Sequence, residues 1–125
     1  MSTAQTGKLY ETKAIKYLKD LKYEILQRNY KTKYGEIDII AYDKKEKSLV
    51  FIEVRYRKNI YFGTPQETII TTKQKRIILS AMYYLKLNRK NYDRIRFDVI
   101  SFTNEDSIEH IKNAFQLNIY QKYFI

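Results

Sequence analysis

Apolar and polar residues alternate most clearly in the middle of the chain, in two segments separated by a lysine-rich turn. The first segment runs from Gly35 to Ile40 and the second from Leu49 to Arg55. Because successive side chains of a strand point to opposite faces, this pattern predicts a β-hairpin. The residues that share one face are Glu36, Asp38 and Ile40 on the first strand and Phe51, Glu53 and Arg55 on the second.

Two carboxylates of this hairpin, Asp38 and Glu53, are flanked by isoleucine, valine and phenylalanine. A buried carboxylate is costly to desolvate unless a cation compensates its charge. One interpretation is a pair of structural salt bridges with Arg55, Arg57 or Arg96. The other is a divalent metal ion that faces a phosphate.

The helical spacing of Tyr10, Ala14, Tyr17, Leu18 and Leu21 predicts an amphipathic helix over Thr6 to Leu21. Glu11 lies at the edge of its buried stripe. It either points toward the sheet or forms a surface pair with Lys8, and the pattern leaves both open.

The remaining segments predict three further strands and a second helix. The strands cover Tyr23 to Tyr30, Arg94 to Phe102 and a short stretch from Ile108 to Ile111. Helix-start signatures occur at Thr64 to Glu67 and again at Thr71 to Gln74, and the helix ends near Asn88. This αβββαβ order predicts an α/β domain with a mixed four- or five-stranded sheet flanked by helices. Asp98, on the opposite face of its strand from Phe97 and Val99, is interpreted as structural, and His110 as an ordinary surface residue.

Composition narrows the class of protein. The chain has 125 residues, 44% of them hydrophobic, which predicts one domain over residues 1–125. A net charge of +10 favours a polyanionic partner, nucleic acid first and an anionic membrane surface second. The absence of cysteine excludes disulfides and thiolate metal sites. No signal-peptide pattern or membrane-length apolar run is present, so we expect a soluble cytoplasmic protein.

The hairpin carboxylates also suggest a chemistry. Oxygen ligands of this hardness suit Mg²⁺ or Mn²⁺, which would keep several waters beside Asp38 and Glu53. A water on such an ion becomes acidic enough to attack phosphorus at neutral pH. With Arg55 as a fixed positive charge beside the pair, the hypothesis is phosphodiester hydrolysis.

These residues carry a resemblance to known proteins. Asp38, followed after fourteen residues by Glu53-Val54-Arg55, resembles the D…(D/E)xK signature of the restriction-endonuclease-like superfamily. The chain is more closely similar, over roughly residues 7 to 102, to the YraN family of predicted endonucleases, whose fold is similar to that of archaeal Holliday junction resolvases. The motifs that match are Gly35 to Ala41, Phe51 to Arg57, Phe62-Gly63, Lys73, Arg96 to Ile100, Asn29, and the Glu11, Ala14, Leu18 spacing.

The resemblance implies a single restriction-endonuclease-like domain that binds Mg²⁺ or Mn²⁺ and cleaves branched or structured DNA. DNA is favoured over RNA, and a homodimer stays open. The implied metal ligands are Asp38, Glu53, the backbone carbonyl of Val54, and Glu11. The expected phosphate contacts around them are Lys31, Lys33, Lys44, Lys45, Arg57, Lys58, Lys73, Lys75 and Arg76.

The chain departs from the superfamily pattern at Arg55, where the signature has a catalytic lysine. Arginine stays protonated, so Arg55 can hold a phosphate but cannot act as a general base. Three interpretations remain open: the metal alone activates water, Lys73 takes the lysine's place, or the protein binds nucleic acid without cutting it. A structural protein whose basic surface meets an acidic protein or membrane is a further alternative.

Overall fold

In the described part of the chain, two helices and five strands follow one another in the order that the apolar pattern predicts. The computed structural model describes residues 3–57, 71–88, 92, 94–104 and 106–116. The elements are α1 (Thr3–Asp20), β1 (Tyr23–Thr32), β2 (Gly35–Asp43), β3 (Ser48–Tyr56), α2 (Thr71–Leu87), β4 (Arg94–Asn104) and β5 (Ser107–Phe115). The predicted α/β class is confirmed.

The five strands form one mixed sheet in the order β1-β2-β3-β4-β5. Only the β3–β4 pair is parallel, and the other neighbours are antiparallel. The chain passes through α2 between β3 and β4, and such a crossover allows two adjacent strands to run in the same direction. The central β3 is buried from Ser48 to Glu53, as expected for a strand covered on both faces.

Each face of the sheet has its own hydrophobic core. On one face, Ala14 and Leu18 of α1 pack with Ile52 of β3 and its neighbours. On the other face, Ile78 of α2 packs with Phe51 and its neighbours. Since residues 51 and 52 point to opposite faces, the register of β3 decides which side chains face which helix.

Two strands differ from the predicted ones. In β1 the pairing register shifts between Ile25 and Gln27, which inserts an extra residue into the strand. This bulge explains why alternation in that segment is loose. β5 has nine residues rather than the predicted four, and its mostly exposed pattern gives little apolar signal because it is an edge strand.

Several predictions fall on residues outside the described part of the chain. They include the helix start at Thr64 to Glu67, the Phe62-Gly63 motif and Lys58. Neither helix that the structure describes is long and apolar enough to cross a membrane.

Candidate active site

Asp38 and Glu53 meet at one end of the sheet. They lie on the adjacent antiparallel strands β2 and β3, directly beyond the Ile39–Ile52 pair. Their side chains hydrogen-bond to each other, and the backbone N–H of Val54 donates to Asp38 Oδ2 at 2.8 Å. Only 6% of Glu53 is exposed. The hairpin therefore brings the two predicted carboxylates together in a largely dehydrated position.

Burial and like charge disfavour a second negative charge at this pair. Burial raises the pKa of Asp38 to about 8, and the negative charge of Glu53 acts in the same direction. The N–H of Val54 offsets part of this effect because it stabilises the ionised form. At neutral pH the pair therefore retains a proton unless a further cation is bound.

Among the described residues, two cations approach Glu53 from different elements. Lys73, in the first turn of α2, places its Nζ 2.5 Å from Glu53 Oε1. An Nη of Arg55, two residues along β3, lies 3.9 Å from the same oxygen. The closer partner of Glu53 is thus Lys73, the residue considered as a substitute for the signature lysine.

Glu11 points from α1 toward the sheet. Its Oε1 is buried and has no hydrogen-bond partner among the residues that the structure describes. Burial raises the pKa of Glu11, and the charges of Glu36 and Glu53 add to this, whereas a hydrogen bond with the Asn29 side chain opposes it. Of the two alternatives for Glu11, the structure favours the sheet-facing one.

Asn29 had no predicted role at the site beyond its match to the family pattern. Its φ of 50° lies in the left-handed region, where asparagine is one of the few tolerated non-glycine residues. The signal in the sequence was an asparagine inside a strand, but its hydrogen bond to Glu11 depends on how α1 packs on β1.

Two adjoining clefts of about 520 and 380 Å³ share Asp38, Glu53, Arg55 and Lys73, and we call them together the acidic cleft. The larger part lies toward α2. It is also lined by Gly35, Glu36, Thr72, Arg76 and Ile77. The smaller part lies toward α1. It is also lined by Thr6, Gly7, Tyr10, Glu11, Val54 and Tyr56.

The donor set suits a small hard cation held by two carboxylates. Among the residues described, no group of three carboxylate or imidazole side chains is close enough to hold an ion by itself. Mg²⁺ is ordinarily bound by one or two carboxylates plus waters, so Asp38 and Glu53 meet its requirement. Glu11, whose buried Oε1 has no hydrogen-bond partner among the residues described, lies near Asp38 and Glu53 but does not form a three-carboxylate metal site with them.

The predicted phosphate contacts are distributed unevenly around the acidic cleft. Lys73 and Arg76 line it, and the exposed Lys75 lies in the same helical turn. The exposed Lys31 and Lys33 lie next to the β1–β2 turn, at the Gly35 end of the cleft. Arg57 directly follows β3, and its N–H bonds the carbonyl of Phe102.

Lys44 and Lys45 occupy the opposite end of the hairpin. They follow Asp43, five residues beyond Asp38 along β2, which corresponds to about 17 Å at the usual rise of a strand. Their expected place beside the acidic pair is therefore wrong. A β-hairpin sends its connecting turn to the far end of both strands, and the charge pattern alone does not show this.

A second polar cluster surrounds Asp98 on the α1 side of the sheet. Arg96 forms two hydrogen bonds with Asp98, at 2.9 and 3.0 Å, and one with Asp43 at 3.1 Å. Arg96 is thus engaged away from Asp38 and Glu53. Burial alone would raise the pKa of Asp98, but hydrogen bonds from His110, Arg96 and the Asn113 N–H outweigh it and hold the pKa below its usual value.

The prediction that His110 is an ordinary surface residue is wrong. Its side chain is 5% exposed, and its Nε2 lies 2.7 Å from Asp98 Oδ2. Its Nδ1 lies 3.0 Å from the hydroxyl of Tyr17, a residue 93 positions away in the chain. A lone histidine in a polar edge strand carries no sequence signal for such a contact.

Comparison with known proteins identifies close relatives along most of the chain. Residues 10–102 match the family model described as "Uncharacterised protein family UPF0102". A UPF0102 protein of Persephonella marina is 43% identical over 112 residues, covering 90% of this chain and 94% of that protein. One of Clostridioides difficile is 45% identical over 116 residues, covering 92% and 100%. One of a Sulfurihydrogenibium species is 38% identical over 117 residues, covering 94% and 99%.

Proposed function

The chain belongs to the uncharacterised protein family UPF0102, and from the chemistry of its acidic cleft we propose that it is a metal-dependent nuclease that hydrolyses phosphodiester bonds in DNA. One observation carries the proposal. The half-buried Asp38 and the buried Glu53 lie against each other in a cleft that also contains Lys73 and Arg55. Two like charges held together out of water are unfavourable unless the site serves to bind a cation.

Asp38 and Glu53, with the backbone carbonyl of Val54, would hold Mg²⁺ or Mn²⁺. When bound, such an ion lowers the pKa of a water molecule and neutralises charge on a phosphate. The protein itself contributes two carboxylates on neighbouring strands, of which Glu53 is only 6% exposed. The Val54 N–H holds one of these carboxylates in place at 2.8 Å. Deprotonation of Asp38 accompanies binding because the ligand form is the carboxylate.

Lys73 and Arg55 divide the work of the signature lysine. The Lys73 ammonium, 2.5 Å from Glu53, is close enough to the acidic pair to orient an attacking water, and because it is a proton donor it would protonate the leaving oxygen, while the water gives up its own proton to solvent. Arg55 remains protonated and presents a planar fork of donors, so it binds phosphate oxygens and stabilises the charge that develops on them.

The DNA lies along the basic residues at the Gly35 end of the hairpin and in the first turns of α2. These side chains contact phosphates and carry no base-specific information. In the part of the chain described by the structure, the members are Lys31, Lys33, Arg57, Lys73, Lys75 and Arg76. The resolvase-like resemblance favours branched or structured DNA.

A cleavage assay tests the proposal. The wild-type protein is incubated with junction, flap and linear duplex substrates in Mg²⁺, Mn²⁺ or EDTA. Glu53→Gln, which keeps the side-chain shape and removes the charge, is compared with Glu24→Gln, an exposed position on β1. We expect metal-dependent cleavage by the wild type and the Glu24 variant and none by the Glu53 variant. Equal cleavage by both variants would exclude the acidic pair as the site.

The second candidate is a nucleic-acid-binding module that keeps the fold without the chemistry. It is favoured by Lys73, whose ammonium already occupies the Glu53 oxygen that would bind the metal, and by arginine in place of the signature lysine. Calorimetric titration with Mn²⁺ separates the candidates. Binding heat that disappears in Asp38→Asn supports the nuclease. Absence of heat, together with salt-dependent DNA binding, supports the module. Cleavage that appears only in Arg55→Lys indicates an enzyme that has lost its activity.

A further inference from the structure

An aromatic column leads from the hydrophobic core to the surface at the α1 side of the acidic cleft. The ring of Tyr10 lies 4.9 Å from that of Phe102, and the ring of Tyr56 stacks on Tyr10 at 4.5 Å with an interplanar angle of 11°. Exposure increases along the column from 0% for Phe102 to 5% for Tyr10 and 39% for Tyr56. The buried end fixes the plane in which Tyr56 is presented.

Tyr56 is close to the reacting groups as well as exposed. It lies three residues beyond Glu53 on the same strand and lines the same part of the acidic cleft as Glu11, Asp38 and Glu53. Three residues of strand correspond to about 10 Å. The ring is therefore positioned to contact a nucleotide next to one whose phosphate lies at the acidic pair.

Helix α1 has an exposed glycine in the part of the acidic cleft that Tyr56 lines. Gly7 lines the cleft, and a Cβ atom built on it meets nothing within 4 Å. Glycine in a helix interior is less stable than alanine, so no local preference favours it there. Glycine is, however, the residue that allows a ligand to approach the backbone closely.

We propose that Tyr56 stacks on an unpaired nucleobase of the strand held at the acidic pair, and that Gly7 provides the space through which this base enters. The inference rests on the proposed function, because that proposal places a phosphate of the DNA strand at Asp38 and Glu53. In a continuous duplex, neighbouring base pairs already cover both faces of each base. An aromatic platform of this kind therefore selects single-stranded segments, such as a flap or the open centre of a branched substrate.

Surface tyrosines can also be purely structural, and a matched control distinguishes the two roles. Tyr83 on α2 is 38% exposed, nearly the same as Tyr56, but it does not line the acidic cleft. Stacking on a base needs an aromatic ring rather than a hydroxyl group. Tyr56→Phe should therefore keep single-strand binding, and Tyr56→Ala should lose it. Leucine at Gly7 should fill the space without harming the helix, because leucine is a good helix former.

The experiment measures DNA binding in EDTA, where no cleavage occurs. The probe is a single-stranded oligonucleotide with one 2-aminopurine, whose fluorescence is quenched by stacking, and its blunt duplex serves for comparison. We expect Tyr56→Ala to weaken single-strand binding by about 5- to 150-fold and to abolish the protein-dependent quenching. Tyr56→Phe and Tyr83→Ala should bind like the wild type, and duplex binding should be unchanged in all of them. Gly7→Leu should reproduce the single-strand loss with an unchanged or higher melting temperature.

Wild-type single-strand affinity and quenching in Tyr56→Ala and Gly7→Leu would overturn the inference. Cleavage by the wild-type protein in Mn²⁺ is scored separately. If the wild type cleaves DNA and Tyr56→Ala changes neither single-strand affinity nor quenching, the stacking role of Tyr56 is rejected and the nuclease proposal stands. Loss of quenching in Tyr56→Ala, with no cleavage under any condition, supports the platform and rejects the nuclease.

Discussion

Replacing Asp38 with asparagine tests the central feature of the site. This feature is a carboxyl group whose ionised form is unfavourable in the folded protein when no metal ion is bound. Asparagine has nearly the same shape. Its carbonyl can still accept the Val54 N–H, and its amide can donate to Glu53. The substitution therefore removes the ionisable group while it preserves the local hydrogen bonds.

The magnitude follows from the pKa of Asp38, about 8 in the folded protein, against about 3.9 in an unfolded chain. A raised pKa means that the folded state binds more protons between these values, so stability is highest below pH ~4 and falls as pH rises toward ~8. The slope is about 1.4 kcal/mol per pH unit. At pH 7 the carboxyl group thus costs on the order of 4 kcal/mol of folding free energy, which Asp38→Asn should recover.

The assay is urea unfolding in EDTA at pH 5, 6, 7, 8 and 9. Asp38→Asn should be increasingly more stable than the wild type up to about pH 8, and the difference should be constant above that pH. Mn²⁺ at 100 times its Kd should narrow the difference at pH 7, because a ligand at that concentration stabilises the protein that binds it by about 2.7 kcal/mol, which is less than the roughly 4 kcal/mol that the substitution recovers. If the variant is less stable than the wild type in EDTA at pH 7, the carboxylate is already compensated and the reasoning is refuted.

Three further predictions concern Lys73, Asp98 and the basic surface. Lys73→Ala should lower the cleavage rate by roughly 100-fold or more and should weaken DNA binding no more than the loss of one phosphate contact does, because its main role is orientation and proton donation; single-turnover rates measure this. Asp98→Ala should destabilise the protein by about 3 kcal/mol, since it removes two hydrogen bonds of the buried Arg96, which keeps Asp43 as a partner, whereas Asp20→Ala in an exposed pair should change stability by less than about 1 kcal/mol. Because the pKa of Asp98 is lowered in the folded protein, its contribution to folding stability is present above pH ~4 and is lost as the pH falls through that lowered pKa. The stability of the Asp98 variant should therefore depend less on acid pH than that of the wild type. Lys75→Ala should reduce the salt slope of DNA binding by about one, and Lys44→Ala should leave it unchanged.

Distinct outcomes contradict each of these predictions. Unchanged cleavage in Lys73→Ala would leave water activation to the metal alone. An Asp98 variant as stable as the Asp20 control would mean that Arg96 is not held in a buried pair. If Lys75→Ala and Lys44→Ala gave the same salt slope, DNA would not bind preferentially at the acidic cleft.

Much of the candidate site follows from the pattern of the hairpin. The placement of Asp38 and Glu53 on facing strands is a consequence of period 2 and of the turn between the strands, and both are local properties. The helical stripe that places Glu11 at the edge of α1 is local in the same way. Whether Glu11 turns inward could not be predicted, because this depends on Asn29 and on the burial that α1 provides.

The failures concern contacts between distant elements. Lys44 and Lys45 carry the same charge as Lys73 and Lys75, and composition alone does not separate the two ends of a hairpin. His110 was misassigned because its partners Tyr17 and Asp98 are brought to it only by the packing of β5 beside β4 and α1.

The amino-acid sequence by itself determined the order of the elements, the two faces of β3 and β4 and the meeting of Asp38 with Glu53, because these depend on periodicity and on neighbouring strands. Only the tertiary structure decided that Lys73 reaches Glu53, that Arg96 is engaged elsewhere and that Tyr56 stands on a buried aromatic column. Such contacts join elements far apart in the chain, and their geometry is set by how the helices pack on the sheet.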